Sequence, residues 1–369
     1  MITLLYCLAI VLGIMFEWPK GNKFLDVAII LLCTYMVFSC TNHADYHSYE
    51  MQYATAVPSM DLFDEPLWKS ICFISRSLGL GYRSFIALVT AGFLAIALVG
   101  VHRITPSSPY FWSLFLIFPG LIGFVQIRQL LALCLVIFAF SFLAVTNRRN
   151  SVSFSYLIVA ICAAMIHSSA FLVILIEPLA YFAEKEKPFT ALILLLFVSS
   201  LVTGWTTELA RDLFTDEVSQ AYLMGEGGRT NDLSRLFTLV EVFGSVLLVL
   251  FAKNQAAGSE TMRGEMERRC IHYLLPLNLL FIAMLPTLMV NTDFLRLHRY
   301  VLVLDALLFV AAQYPLHRNV VGIGHRIVGG IGCKRLCFRI CISAFYFLHF
   351  FALVWMQVPD SVVAAMLQW

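Results

Sequence analysis

The chain has 369 residues, of which 60% are hydrophobic and 13% charged, with a formal net charge of +2 and a mean hydropathy of +0.83. A soluble domain carries about a quarter charged residues, so this composition excludes one and defines an integral membrane protein. The charge excess is too small, and the basic residues too dispersed, for a nucleic-acid partner.

Crossing the hydrocarbon core of a bilayer takes about 20 mostly apolar residues, somewhat fewer where flanking side chains snorkel. Twelve such runs succeed one another, near residues 2 to 16, 24 to 40, 84 to 101, 109 to 124, 129 to 146, 153 to 166, 169 to 183, 188 to 204, 236 to 252, 271 to 290, 299 to 316 and 338 to 357. The expected fold is an all-α integral membrane protein. It forms one polytopic domain over residues 1–369, a bundle of about 12 transmembrane helices with an amphipathic helix on its outer face. The first run, Ile2 to Phe16, has no basic segment before it and no Ala-x-Ala cleavage site, so it reads as a retained span rather than a signal peptide. Almost no loop separates the runs that meet at Gln126 to Gln129 and at His167, which leaves tight turns and re-entrant segments both open.

Numbered from the N-terminus, the odd connections hold sixteen of the 25 lysines and arginines, among them Lys20, Arg103, Arg148, Lys185, Lys253 and Arg335. By the positive-inside rule those connections are cytoplasmic and both termini lie outside. The two long even loops, 41–83 and 205–235, contain acidic residues and fall outside as well. The first of them carries a short helix. Asp64 is placed to cap it, Pro66 suits its first turn, and Leu67, Ile71, Ile74 and Leu78 form an apolar stripe opposite Lys69 and Arg76, fit to lie along a membrane surface. The second long loop matches no pattern that would define an acceptor. Of the ten cysteines, Cys7, Cys33, Cys134 and Cys162 lie in apolar runs and act as small hydrophobes, and Cys333, Cys337 and Cys341 match no zinc spacing. The glycines from Gly322 to Gly332 follow no strand and read as a flexible basic loop, not a nucleotide loop.

Four polar islands interrupt this apolar background at segment ends, and the topology puts all four on the outer side. The first holds His43, Asp45, Tyr46, His47, Ser48 and Tyr49, with Glu65 further along the same loop. Aromatic faces suit pyranose rings and carboxylates suit hydroxyls, although a merely solvated loop has the same composition. The second is Gln126, Arg128 and Gln129. A lone arginine between two apolar runs needs a counter-charge, either a structural carboxylate such as Glu241 or a ligand phosphate, whose oxygens suit a bidentate guanidinium. The third is His167 with Ser168 and Ser169, where the imidazole is either a packing residue or a base, and no G-x-S-x-G elbow supports a serine nucleophile. The fourth runs from Asp293 to Tyr300. On a helix, Arg296, Arg299 and Tyr300 share a face and His298 lies over Asp305, which is about 9 Å into the apolar run at about 1.5 Å per residue. It reads as an anion site or as interfacial arginines above a neutralised Asp305. Glu177, before Pro178, is a deeper acid that reads as structural. No Asp-x-Asp metal motif is present, and neither a metal nor another cofactor is expected.

At these residues the chain resembles the EpsG-like family of bacterial exopolysaccharide polymerases, relatives in function of the Wzy polymerases, over roughly residues 25 to 315. The resemblance is carried by Asp45 and Tyr46 followed by Tyr49, by Glu65-Pro66-Leu67, by Arg128 opening a span, by the run Ile166 to Ala170, and by Arg296 to Tyr300. It implies a glycosyltransferase that polymerises oligosaccharide repeat units carried on undecaprenyl pyrophosphate, at the outer face of the bacterial inner membrane. The growing chain would pass from its lipid carrier to the non-reducing end of a fresh unit. Asp45, His167 and His298 are the candidates for the catalytic base. Tyr46, Tyr49, Glu65, Gln126, Arg128, Arg296, Arg299, Tyr300 and Asp305 are the candidates for binding substrate, the arginines stabilising the departing pyrophosphate without a metal. The expected partners are the lipid-linked oligosaccharide, the bilayer, a chain-length regulator and a flippase.

Three other readings share parts of this pattern. An O-antigen ligase-type glycosyltransferase has the same donor and outer face and differs in its acceptor. A lipid-linked oligosaccharide flippase or transporter would spread polar residues through the membrane, whereas here Glu177 and Asp305 are the main ones away from one end. An acyltransferase would need an acyl-donor site, which the sequence does not display.

Overall fold

A computed structural model describes residues 2–16, 22–41, 44–61, 64–145, 153–213, 232–256, 262–290, 295–313, 337–349 and 351. Among them every regular element is helical: α1 (Ile2–Met15), α2 (Lys23–Ser39), α3 (Ala44–Thr55), α4 (Pro66–Ser77), α5 (Tyr82–Ile104), α6 (Ser108–Phe115), α7 (Leu121–Gly123), α8 (Ile127–Val145), α9 (Phe154–Ile166), α10 (Phe171–Ile174), α11 (Ile176–Ala183), α12 (Glu186–Leu213), α13 (Asp232–Ala256), α14 (Met262–Ala283), α15 (Leu285–Val290), α16 (Leu295–Gln313) and α17 (Cys337–His349). Local chemistry sets several of these ends. Asn22 accepts from the amides of Phe24 and Leu25 to start α2, and Ser153 accepts from Tyr156 to start α9. His43, Asp293, the centre of the second long loop, the glycine-rich loop and Cys333 lie outside the described residues.

Where it is described, each apolar run is mainly helical, and among the described residues three segments are long and apolar enough to cross a membrane by length and composition: α5, α8 and Arg235–Asn254 within α13. Shorter apolar helices cover Leu4–Met15, Phe154–Ile166, Ser168–Ala183 and Cys337–His349. Several runs expected as single spans are broken. The run 109 to 124 leaves α6 through a π-helical stretch, Leu116–Gly120, in which Phe118 is extended at φ −166° and Pro119 removes a backbone donor. The run 169 to 183 divides into a 3-10 turn, α10 and α11, and the run 271 to 290 breaks at Met284. At about 1.5 Å per residue, a helix as short as α9 reaches about 20 Å, less than the roughly 30 Å hydrocarbon core.

Two helices form the interior. Nearly every side chain of α8 and α16 is buried, including Phe140 and Leu133 on the first and Tyr300, Phe309 and Asp305 on the second. A helix apolar all round has no preferred wet face, so it settles where protein surrounds it. Helices α5 and α9 pack on α8, α2 packs on α5, and α13, α14 and α16 pack on one another. The outer surface stays apolar: Leu194, Leu195, Val198 and Val202 of α12 are exposed, as a lipid-facing surface requires.

The α5–α8 contact depends on a missing side chain. A Cβ on Gly100 would lie 2.9 Å from Cα of Phe138 and 3.0 Å from the Ile137 carbonyl oxygen. Small residues at such crossings let backbones approach closely. Gly100→Val should therefore push α5 off α8 and destabilise the fold by about 1–3 kcal/mol. Thermal unfolding in detergent micelles measures this, and an unchanged melting temperature would contradict the packing.

Candidate functional site

The polar islands meet at Glu65, which lies between the loop after α3 and the first turn of α4. Its carboxylate is 8% exposed and has three partners from two other parts of the chain. Arg128 Nη1, at the start of α8, donates to Oε2. His167 Nδ1 lies 2.8 Å from Oε1, and the Ser168 amide donates to the same oxygen at 3.3 Å. Burial pushes the Glu65 carboxyl up, but the His167 hydrogen bond, the Arg128 charge and the Ser168 amide outweigh it and hold the group below its ordinary value of 4.5. With an ionised carboxylate opposite, Nδ1 of His167 is the donor of that hydrogen bond.

The backbone at Glu65 is held in an unfavourable place. It is left-handed, at φ 51° and ψ 56°, and the next residue is Pro66. A side-chain-bearing residue in that region costs about 1–3 kcal/mol, and the position before proline favours extended backbone instead. The ion pair and two further hydrogen bonds hold the carboxylate against that preference. Glu65, not Asp64, occupies the N-cap of α4, without a side-chain capping bond, while Asp64 pairs with Lys69. The buried face of α4 carries Trp68, Cys72 and Ser75, while Ile74 and Leu78 of the apolar stripe are exposed.

Beside Glu65 opens a cleft of about 570 Å³, lined by Gln52, Thr55, Asp64, Trp68, Lys69 and Arg128 among others. The Arg128 guanidinium sits 5.0 Å from the Tyr49 ring centroid, a cation–π contact that brings the first island to the second. Burial pushes the Tyr49 phenol up, and Arg128 only partly offsets it. The Arg128 Nε is buried and has no hydrogen-bond partner among the described residues. Behind the cleft, Tyr49 meets Trp68 edge-on at 6.4 Å and Tyr53 stacks on Phe85 at 4.7 Å. The cleft wall at Ala56 and Val57 is held by Arg76, whose guanidinium donates to the carbonyls of Tyr53, Ala54 and Ala56 and so closes the C-terminal end of α3.

The fourth island joins through hydrogen bonds. Arg299, 8% exposed, donates to Gln126 Oε1 at 2.7 Å and Gln129 Oε1 at 2.8 Å, and Gln129 donates to the Arg296 carbonyl at 3.0 Å. Ser169 Oγ and the Tyr300 hydroxyl lie 3.0 Å apart. The side chain of Asp45 is half-buried on α3, and Tyr46 packs against Tyr82 at 5.2 Å.

Two predicted site residues turn into the interior instead of the cleft. His298, fully buried, bonds Glu241 at 2.6 Å, and His349 Nε2 lies 3.3 Å from the other Glu241 oxygen. Glu241 is thus engaged by two histidines and is not the counter-charge of Arg128, a role that falls to Glu65. Asp305 accepts from Ser245 and from Asn278 Nδ2 at 3.1 and 3.2 Å, tying α13, α14 and α16 together away from His298. Sequence reasoning missed Trp68, Lys69, Gln52, Asn278 and His349. Asn278 and His349, a lone amide and a lone imidazole in apolar runs, had a visible signal. Among the described residues, no group of three or more His, Cys, Asp or Glu side chains is arranged to hold a metal ion.

An apolar helical bundle with a polar cleft lined by Asp64, Glu65, Lys69 and Arg128 is a helical membrane protein with a candidate site among the described residues. The sequence model of the EpsG family matches residues 23–361, and the chain belongs to that family. No curated protein and no solved structure matches it.

Two outcomes follow from this geometry. Because the Glu65 carboxyl is depressed, its stabilising contribution is complete above the ordinary carboxylate range and is lost as pH falls through the lower folded value. Between about pH 5 and about pH 3, the melting temperature of the parent should fall more than that of Glu65→Gln; parallel curves would contradict the pairing. Arg76→Ala removes charged hydrogen bonds that are each worth about 1.5–3 kcal/mol. It should speed protease cleavage within residues 56–61, and an unchanged cleavage rate would show that Arg76 does not hold that wall.

Proposed function

We propose that the chain is a polymerase that joins oligosaccharide repeat units carried on undecaprenyl pyrophosphate, at the outer face of the bacterial inner membrane. Membership of the EpsG family supports polysaccharide polymerisation in general. The observation that carries the finer reading is the Arg128–Glu65–His167 arrangement beside the cleft, which sets an anion-binding group next to a carboxylate and an imidazole. The basic odd connections and the polar end of the bundle support a site that faces outward from about twelve crossings. The exposed Ile74 and Leu78 of α4 then rest in the interfacial layer, close to the lipid that delivers the substrate.

The reaction needs two kinds of help. The acceptor hydroxyl gives up its proton to a base and its oxygen bonds to the anomeric carbon of the donor. The bond from that carbon to the phosphate oxygen breaks, and the electron pair leaves on the pyrophosphate. Arg128, with Arg296 and Arg299 of α16, stabilises that charge without a metal or other cofactor. The base belongs to the Glu65–His167 pair, because Asp45 lies on α3 with no described hydrogen bond to the pair and His298 is committed to Glu241. Among the aromatic side chains near the sugars, Trp68 lines the cleft, while Tyr46 and Tyr49 are buried against their neighbours. A flippase supplies the units and a chain-length regulator limits the product.

Purified protein supplied with lipid-linked repeat units should yield a ladder of products. Arg128→Ala and Arg296→Ala should each lower the rate by about 10²–10³, the usual effect of losing one donor to a departing anion. Parent-like polymerisation by both variants would sink the pyrophosphate assignment, and movement of unchanged substrate across vesicles would favour a flippase.

A further inference from the structure

Resting on that reading, we infer that Glu65 is a latched catalytic base: Arg128 holds its Oε2 until the pyrophosphate of the donor takes the guanidinium, which frees that oxygen to receive the acceptor proton. The two carboxylate oxygens are held differently. Oε1 is anchored by the Ser168 amide at 3.3 Å and by His167 at 2.8 Å, whereas the bond described at Oε2 is to Arg128. Anchoring one oxygen keeps the carboxylate in place when the other is released. Glu65 and Arg128 both line the cleft, and His167 is not among its lining residues. A ligand in the cleft therefore reaches the latch and the arginine together, with His167 behind Glu65.

The arginine is ready for a second partner. Its Nε is buried without a hydrogen bond among the described residues, its side chain also bonds Tyr49, and the residue lines a cleft of about 570 Å³. A pyrophosphate offers oxygens in the geometry a guanidinium fork prefers, so it competes with the single Arg128–Glu65 hydrogen bond. Once it binds, the positive charge that stabilised ionised Glu65 is shared with the pyrophosphate, and Glu65 becomes the stronger base. The proton balance closes: the acceptor hydroxyl loses its proton to Oε2, the acceptor oxygen bonds to the anomeric carbon, the pyrophosphate leaves with the electron pair, and Glu65 returns the proton to water in the cleft. The other titratable groups that face Glu65 are His167, Tyr49, Tyr300 and the Asp64–Lys69 pair. Among them, the ion pair at Oε2 is the one a donor anion would exchange. An enzyme built this way does not activate its acceptor until a donor is seated.

The test compares binding with chemistry in the full-length protein in nanodiscs, with undecaprenyl pyrophosphate as the binding probe and lipid-linked repeat units as the substrate. Glu65→Gln removes the competitor of the anion and the base at once. It should bind undecaprenyl pyrophosphate about threefold or more tighter while polymerising about 10²-fold or more slower. If Glu65 only positions Arg128, binding and polymerisation weaken together, and the inference fails. Glu65→Asp, which keeps the charge but withdraws it, should recover part of the rate. An acid limb of the rate that persists unchanged in Glu65→Gln would assign the base to His167 and overturn the inference. In the unaltered protein, binding of the probe near about pH 5 should take up more protons than binding to Glu65→Gln, and equal uptake would also overturn it. Absence of both probe binding and polymer formation in the parent would instead overturn the polymerase reading itself.

Discussion

The structure turns on one carboxylate shared between two cationic or proton-bearing partners. Glu65 reaches Arg128 with one oxygen and His167 and Ser168 with the other, joining the α3–α4 connection, the start of α8 and the α9–α10 turn. The Glu65 carboxylate is largely withdrawn from water, so leaving it without these partners would be costly. The left-handed backbone at Glu65 shows that the network prevails over local preference. Local strain retained at a polar cleft is characteristic of sites whose geometry serves chemistry.

The rest of the polar inventory follows a division of labour. Near the cleft, charges have several partners and some remaining capacity, as with the Arg128 Nε. In the interior they link helices: Asp305 bonds Ser245 and Asn278, and Glu241 lies between His298 and His349. These interior sets fasten α13, α14, α16 and α17, so the arginines of α16 approach Gln126 and Gln129 from a rigid base. A binding site is accurate when the groups behind it cannot move.

Much of the architecture was legible in the sequence because a bilayer imposes a simple rule. Apolar runs became helices, and the islands at 126–129, 167–169 and 296–300, which stand out as polar residues in apolar surroundings, came together. The breaks within runs were less legible, since the kink at Phe118 depends on how α6 packs. Glu65 was harder to weigh than Arg128: an acid in a polar loop resembles a solvated one, and neither its backbone conformation nor its partners 63 and 102 residues away have a sequence signal. Glu241 was the more tempting counter-charge for Arg128 because it stands in an apolar run, yet two histidines already occupy it. Periodicity placed His298 over Asp305, and tertiary contacts give each its own partners, Glu241 for the one and Ser245 and Asn278 for the other.

The central claim is that the anion-binding group and the base share one hydrogen-bonded unit. A cryo-electron-microscopy structure of the protein in nanodiscs with undecaprenyl pyrophosphate tests it most directly. The account predicts phosphate oxygens within hydrogen-bonding distance of the Arg128 guanidinium, with Glu65 still bonded to His167 and Ser168 and its other oxygen open to the cleft. A pyrophosphate bound elsewhere, with the Arg128–Glu65 pair intact, would contradict it.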